Sequence, residues 1–235
     1  METKIIKYTD NIYAIDQQMV RAFVILGESS ALVIDTGATP ADIHKLIGEI
    51  TPLPYELCLT HSDGDHTANM ANFKKVYAGV AEVPYIAQKA EELGIEVIPV
   101  NEGHVFDLGG VQIQAVAMPG HTPGSTGYLY KNEGILFSGD TVSYGPVYMF
   151  GGNRDFAAFE ESLKKLKVMA EKGEFKIIYP CHNTCPITPE VIDALSECAA
   201  GIKEGSIEGK EAKMPFKSEN APKLYEYKNC GILYI

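Results

Sequence analysis

Residues 55–66 read YELCLTHSDGDH. The first half is apolar and suited to a buried strand, and the second half places His61, Asp63, Asp65 and His66 within six positions. Where a strand end opens into a loop, alternate side chains can point at one centre, and Gly64 lets the backbone turn tightly. A lone histidine usually sits on a surface or makes one ordinary hydrogen bond. Four metal-type side chains this close repel one another or stay solvated unless a cation joins them, so the run reads as a metal site.

Reading outward, three more segments share this plan of apolar strand, turn residues and a ligand-type side chain. VQIQAVAM (111–118) leads into His121, GILF (134–137) into Asp140, and KIIYP (176–180) into His182. Strand ends on one rim of a sandwich can gather all of these. Upstream, residues 4–16 and 20–35 read as strands with GESS (27–30) as a hairpin turn. A helix is expected from Pro40 to about Ile50 with Thr39 as N-cap, another from His66 to about Lys75, and another in PYIAQKAEELG (84–94) capped by Gly94. Downstream, hairpins turn at Gly109-Gly110 and at Asn132-Glu133-Gly134. Helices are expected from Phe156 to about Ala170 and over 189–202, the latter with Thr188 as cap and Pro189 first. Strands then helices, twice, imply an α/β sandwich of two similar layered halves forming one domain over 1–235, with a polar excursion from Lys203 to Lys223 and a terminal strand or hairpin.

The bulk properties narrow the function. The 235 residues carry a formal net charge of -11, without a basic patch, so nucleic acid is excluded as a partner and a small-molecule substrate is expected. No apolar run is long enough to span a membrane, and the first sixteen residues lack a signal-peptide layout, so no membrane partner and a cytoplasmic location are expected. The oligomeric state is left open, a homodimer included. Five cysteines without a secretory signal argue against a disulfide framework. Cys181 and Cys185, flanking His182, read as buried reduced thiols, and His44 and His104 as ordinary structural or surface histidines.

The motifs VIDTG around Asp35, HSDGDH, PGHTPGS around His121, FSGDT around Asp140 and YPCHN around His182 resemble, in order and spacing, those of the metallo-β-lactamase superfamily. PGHTPGSTGYL (119–129), GILFSGDT (134–141) and GGNRDF (151–156) look most like the glyoxalase II branch. The resemblance implies a four-layer αββα sandwich with a binuclear site at one edge. His61, Asp63 and His121 would hold one metal, Asp65, His66 and His182 the second, and Asp140 would bridge; Asp35 would support the ligand loop, and Arg154 would tie loops together. This chain departs from the family run at Asp63, where histidine is usual. Zinc is the default pair of ions, and the added carboxylate shifts preference towards iron or manganese.

Two such ions ~3.5–4 Å apart share and acidify a water, which implies hydrolysis of a small ester, thioester, lactone or related acyl substrate. Asp65 is placed to accept a proton from that water. Asp63 also keeps open a non-haem di-iron redox protein related to flavodiiron proteins or persulfide dioxygenases, and a catalytically silent metal-binding module is a third reading. The loop TVSYGPVYMFGG (141–152) either lines an apolar pocket or packs under the helix that follows it.

Overall fold

The computed structural model describes residues 3–212 and 221–235. Seven strands form the first sheet in sequence order: β1 (Lys4–Lys7), β2 (Ile12–Asp16), β3 (Arg21–Leu26), β4 (Ala31–Ile34), β5 (Tyr55–Cys58), β6 (Lys75–Gly79) and β7 (Glu96–Val100). The first four are antiparallel neighbours, because short turns such as 27–30 join them. From β4 onward the pairing is parallel. Parallel neighbours need crossovers, supplied here by α1 (Ile43–Ile50), α2 (Gly64–Thr67) with a 3-10 turn at Met70–Asn72, and α3 (Val83–Leu93).

The second sheet holds β8 (Val105–Asp107), β9 (Gln112–Ala117), β10 (Thr126–Tyr130), β11 (Ile135–Gly139) and β13 (Ile177–Pro180), in the order β13-β11-β10-β9-β8. A third, smaller sheet joins β12 (Gly145–Tyr148) to the terminal hairpin β15 (Lys223–Tyr227) and β16 (Cys230–Tyr234), with β14 (Lys210–Glu211) at its edge. The remaining helices are α4 (Phe156–Glu171) and α5 (Glu190–Lys203).

The layers follow from strand alternation. Val24, Val33 and Leu57 face Ile43, Ile47 and Ile86 of α1 and α3 on the outer side of the first sheet. The opposite side chains, Phe23, Ile25, Leu32 and Ile34, meet Ile113, Tyr128 and Phe137 of the second sheet. The outer face of that second sheet, with Leu129, Leu136 and Ile178, packs on Phe159, Leu163 and Leu195 of α4 and α5. That is the expected αββα sandwich. Among the described residues no helix is long and apolar enough to cross a membrane.

Three local expectations are corrected. The helix expected from His66 to Lys75 breaks at Asn69, whose backbone N–H goes to Thr36 Oγ1 and whose amide donates to the carbonyls of Thr36 and Thr39. Capping of α1 falls to Asp42, whose carboxylate accepts from Lys45 N at 3.0 Å. Gln17 Oε1 accepts from the backbone N–H of Ala38 and Thr39 and keeps that stretch out of the helix. The loop 141–152 contains a strand, β12, paired in parallel with β16. Part of the polar excursion, 213–220, lies outside the described residues.

Candidate metal centre

The site sits where strands end. β4 and β5 run parallel, as do β11 and β13, and the chain segments that leave their C-terminal ends carry Asp35, His61–His66, Asp140 and His182. His121 comes from the β9–β10 connection. The two sheets approach closely here. A Cβ on Gly139, whose φ is +54°, would lie 2.8 Å from Thr60 Cβ, and one on Gly120, φ +137°, would lie 2.4 Å from the Phe159 backbone. Larger residues at either glycine would push Asp140 or His121 out of the cluster.

The seven expected ligands come together as two groups with one shared member. His61, Asp63 and His121 form the first, and Asp65, His66 and His182 the second. Asp63 Oδ2 lies 3.6 Å from His61 Nε2 and 3.4 Å from His121 Nε2. In the second group, Asp65 Oδ2 is 3.7 Å from His66 Nε2 and 3.3 Å from His182 Nε2, and the two imidazole Nε2 atoms are 3.3 Å apart. Asp140 lies between them: Oδ1 is 3.4 Å from His66 Nε2, while Oδ2 is 3.2 Å from His182, 3.8 Å from His121 and 4.0 Å from His61. Donors ~2.0–2.1 Å from a tetrahedral ion stand ~3.3–3.4 Å from one another, and both groups lie close to these dimensions.

Every histidine presents Nε2 to the centre because its Nδ1 is engaged elsewhere. His121 Nδ1 donates to the Tyr148 carbonyl at 2.9 Å, and His182 Nδ1 to the Met19 carbonyl at 2.5 Å. His66 Nδ1 donates to Asp35 Oδ2 at 2.8 Å. Thr60 Oγ1 donates to Asp35 Oδ2 at 2.7 Å and so accepts from His61 Nδ1 at 2.9 Å. This is the outer arrangement that fixes a ligating imidazole's tautomer. Asp35, fully buried with φ +64°, also accepts the Thr60 N–H at 2.7 Å. The buried atoms His61 Nε2, His121 Nε2 and Asp140 Oδ1 have no hydrogen-bond partner. Orphaned polar atoms in such a position are costly, and divalent cations at the two groups would satisfy all three.

The electrostatics agree. Burial opposes ionisation of Asp140, yet the charges of His66 and His182, with hydrogen bonds from both, hold it well below the carboxylate range. Burial likewise acts against protonated His182, but Asp140, with hydrogen bonds to Asp140 and Asp65, pushes it up to about 10. His66, lowered by burial and raised by Asp140 and Asp35, ends well above its ordinary value. His121 goes the other way, since burial dominates. The histidines of the second group by themselves thus hold protons where a cation would bind.

Several residues around the site carry no motif. Thr60, the residue before His61, links Asp35 to the first group; Met19, on the turn after Gln18 (φ +70°), positions His182 through a backbone carbonyl. Arg154 Nη2 donates to Asp63 Oδ2 at 2.6 Å, so the loop tie expected of it runs to a member of the cluster. A cleft of about 710 Å³ opens over the groups, walled by Met19, Pro146, Tyr148, Phe150 and Asn183. Both readings of the 141–152 loop hold, residue by residue. Tyr148 faces the cleft, while Met149 and much of Val147 enter the core under α4 and α5. His44 and His104 lie outside the cluster, against Phe73 and Phe106. Cys181 is buried, with its thiol 3.4 Å from Asp35 Oδ2.

This chain belongs to the metallo-β-lactamase superfamily, whose family model matches residues 15–182. It is 31% identical over 124 residues to a hydroxyacylglutathione hydrolase of Rhodopseudomonas palustris, covering 52% of this chain and 46% of that one. It is 25% identical over 170 residues to an atrochrysone carboxyl ACP thioesterase of Aspergillus novofumigatus, covering 71% and 49%. The chain spans about half the length of the curated relatives it matches first. In fold it is similar to a metallo-β-lactamase from Pontibacter korlensis, with a TM-score of 0.71 at 16% identity over 85% of this chain and 99% of that one.

Proposed function

We propose that this protein is a hydrolase that uses two divalent ions, zinc by default, to cleave a small ester, thioester or lactone in the cleft above the cluster. The observation that carries this reading is the convergence of seven ligand-type side chains, three of whose buried atoms, His61 Nε2, His121 Nε2 and Asp140 Oδ1, lack hydrogen-bond partners. His61, Asp63 and His121 would hold one ion, Asp65, His66 and His182 the other, with Asp140 reaching both. Ions there would supply an acidified water and Lewis-acid polarisation of a carbonyl.

The chain's own groups do the rest. Asp65 is the most exposed of the three cluster carboxylates, with 41% of its side chain accessible, and would take a proton from the nucleophilic water. The Tyr148 phenol stays protonated, first through burial and then through the charges of Asp140 and Asp65, so it can donate a hydrogen bond to a substrate oxygen. Apolar walls from Met19, Pro146 and Phe150 suit an acyl group and exclude bulk water. A thioester or ester substrate also agrees with the names of the hydroxyacylglutathione hydrolase and thioesterase relatives.

Three carboxylates in the donor set support a second reading, a di-iron redox centre, since hard oxygen donors favour higher metal charge. The test is metal analysis of protein made without added metal, followed by an ester, thioester and lactone panel before and after chelation. Chelator-sensitive turnover by colourless protein supports hydrolysis. Visible absorption with no turnover on any member of the panel overturns it in favour of the redox centre.

A further inference from the structure

The two candidate metal positions carry the same donors, two histidines and one aspartate each, with Asp140 between them. What differs is the surroundings. Asp63 Oδ2, the atom that faces His61 and His121, also accepts from Arg154 Nη2 at 2.6 Å. The ion-pair contacts of Asp65, among the described residues, are with His66 and His182 alone. The Arg154 side chain is 14% exposed, and its Nε is buried without a partner, so its charge acts on Asp63 with little screening by water.

We infer that Arg154 makes the two positions unequal: it weakens the Asp63 position and leaves the Asp65 position as the tight one. The inference rests on the two-ion reading above. A guanidinium sharing an oxygen with a dication repels that ion and draws electron density from the shared carboxylate. It also orders Asp63, but that gain is limited to one side chain's rotamer freedom. The net sign is therefore loss of affinity, confined to one position. Asp140 also stands nearer the Asp65 side, 3.2 Å from His182 Nε2 and 3.4 Å from His66 Nε2 against 3.8 and 4.0 Å from the Nε2 atoms of His121 and His61. A charge balance points the same way. Three carboxylates and a bridging hydroxide cancel two dications, and Arg154 adds one positive charge on the Asp63 side.

The test is calorimetric titration of the chelator-stripped full chain with zinc chloride, reading stoichiometry and stepwise Kd. Wild type should take two ions in separated steps. Arg154→Gln should tighten the weak step at least tenfold and leave the tight step unchanged, while Arg154→Lys, which keeps the charge, should retain a separated weak step. A purely structural tie gives the opposite: Gln weakens binding or leaves both steps in place, and the inference falls. If Arg154→Gln does not fold, Asp63→Asn and Asp65→Asn carry the test with the arginine intact. Asp63→Asn should leave one ion at the tight Kd and Asp65→Asn one ion at the weak Kd; the reverse order overturns the inference. Fewer than two ions in wild type overturns the two-ion reading itself.

Discussion

Asp35→Asn removes one charge and no volume, and its effect can be worked through from the hydrogen bonds. The carboxylate accepts from Thr60 N, Thr60 Oγ1 and His66 Nδ1, all at 2.7–2.8 Å, and the Cys181 thiol approaches it at 3.4 Å. An asparagine can turn its oxygen only one way. With the oxygen towards Thr60 N, its NH2 faces His66 Nδ1–H, a clash relieved only if Nδ1 gives up its proton and the imidazole keeps one on Nε2, the atom that faces the cluster. With the oxygen towards His66, the NH2 faces the Thr60 N–H. Either way a buried donor meets a donor, at about 1–3 kcal/mol. That corresponds to a melting point lower by about 2–12 °C for a chain of this size. Loss of the outer partner of a ligating histidine lowers metal affinity about 10–100-fold. Melting in chelator reads the first quantity, and zinc competition against a chromogenic chelator reads the second. A wild-type zinc affinity in Asp35→Asn would refute the claim that Asp35 sets the His66 tautomer.

Asp140→Ala should remove more bound metal than any other single ligand change and abolish turnover, because Asp140 faces both groups; metal content and activity of the purified variant check this. Asp63→His should raise the zinc-to-iron ratio taken from a mixed supply, and it should lower the melting point by leaving Arg154 buried without its acceptor, a loss that a second change, Arg154→Gln, restores. His182, raised to about 10 in the metal-free chain, stabilises the fold fully below its unfolded value near 6.5 and loses that contribution as pH rises towards 10. Metal-free protein should therefore melt lower at pH 9 than at pH 7, a loss absent in zinc-loaded protein, whose His182 must be neutral to ligate; equal pH dependence of the two forms counts against His182 as a ligand. For the same reason zinc binding at pH 7 should release protons from His66 and His182, seen as a buffer-dependent binding enthalpy.

The misread segments share a cause. Residues 66–75 read as helical, but Asn69 spends its backbone and side-chain groups on Thr36 and Thr39, thirty or more positions away. β12 carries Gly145 and Pro146 and pairs with β16, some eighty-five residues later in the chain. Neither partner can be inferred from a local window, because the hydrogen bonds that decide the outcome are non-local.

Sequence alone determined the candidate ligand types and the sandwich. Both depend on local order: apolar strands with a period of two, and candidate donors set just beyond strand ends, most of them at the C-terminal ends of parallel strands, which lie on one edge. It also determined the departure at Asp63. Only the tertiary structure decided that Thr60, Met19 and Tyr148 orient the histidines, and that Arg154 shares Asp63 Oδ2 with the cluster. Two of those contacts run through backbone carbonyls, which every residue type possesses, so no side-chain identity could announce them. The Arg154–Asp63 contact joins residues 91 positions apart, and its charge matters because folding partly buries both groups beside the cluster, where water screens it less.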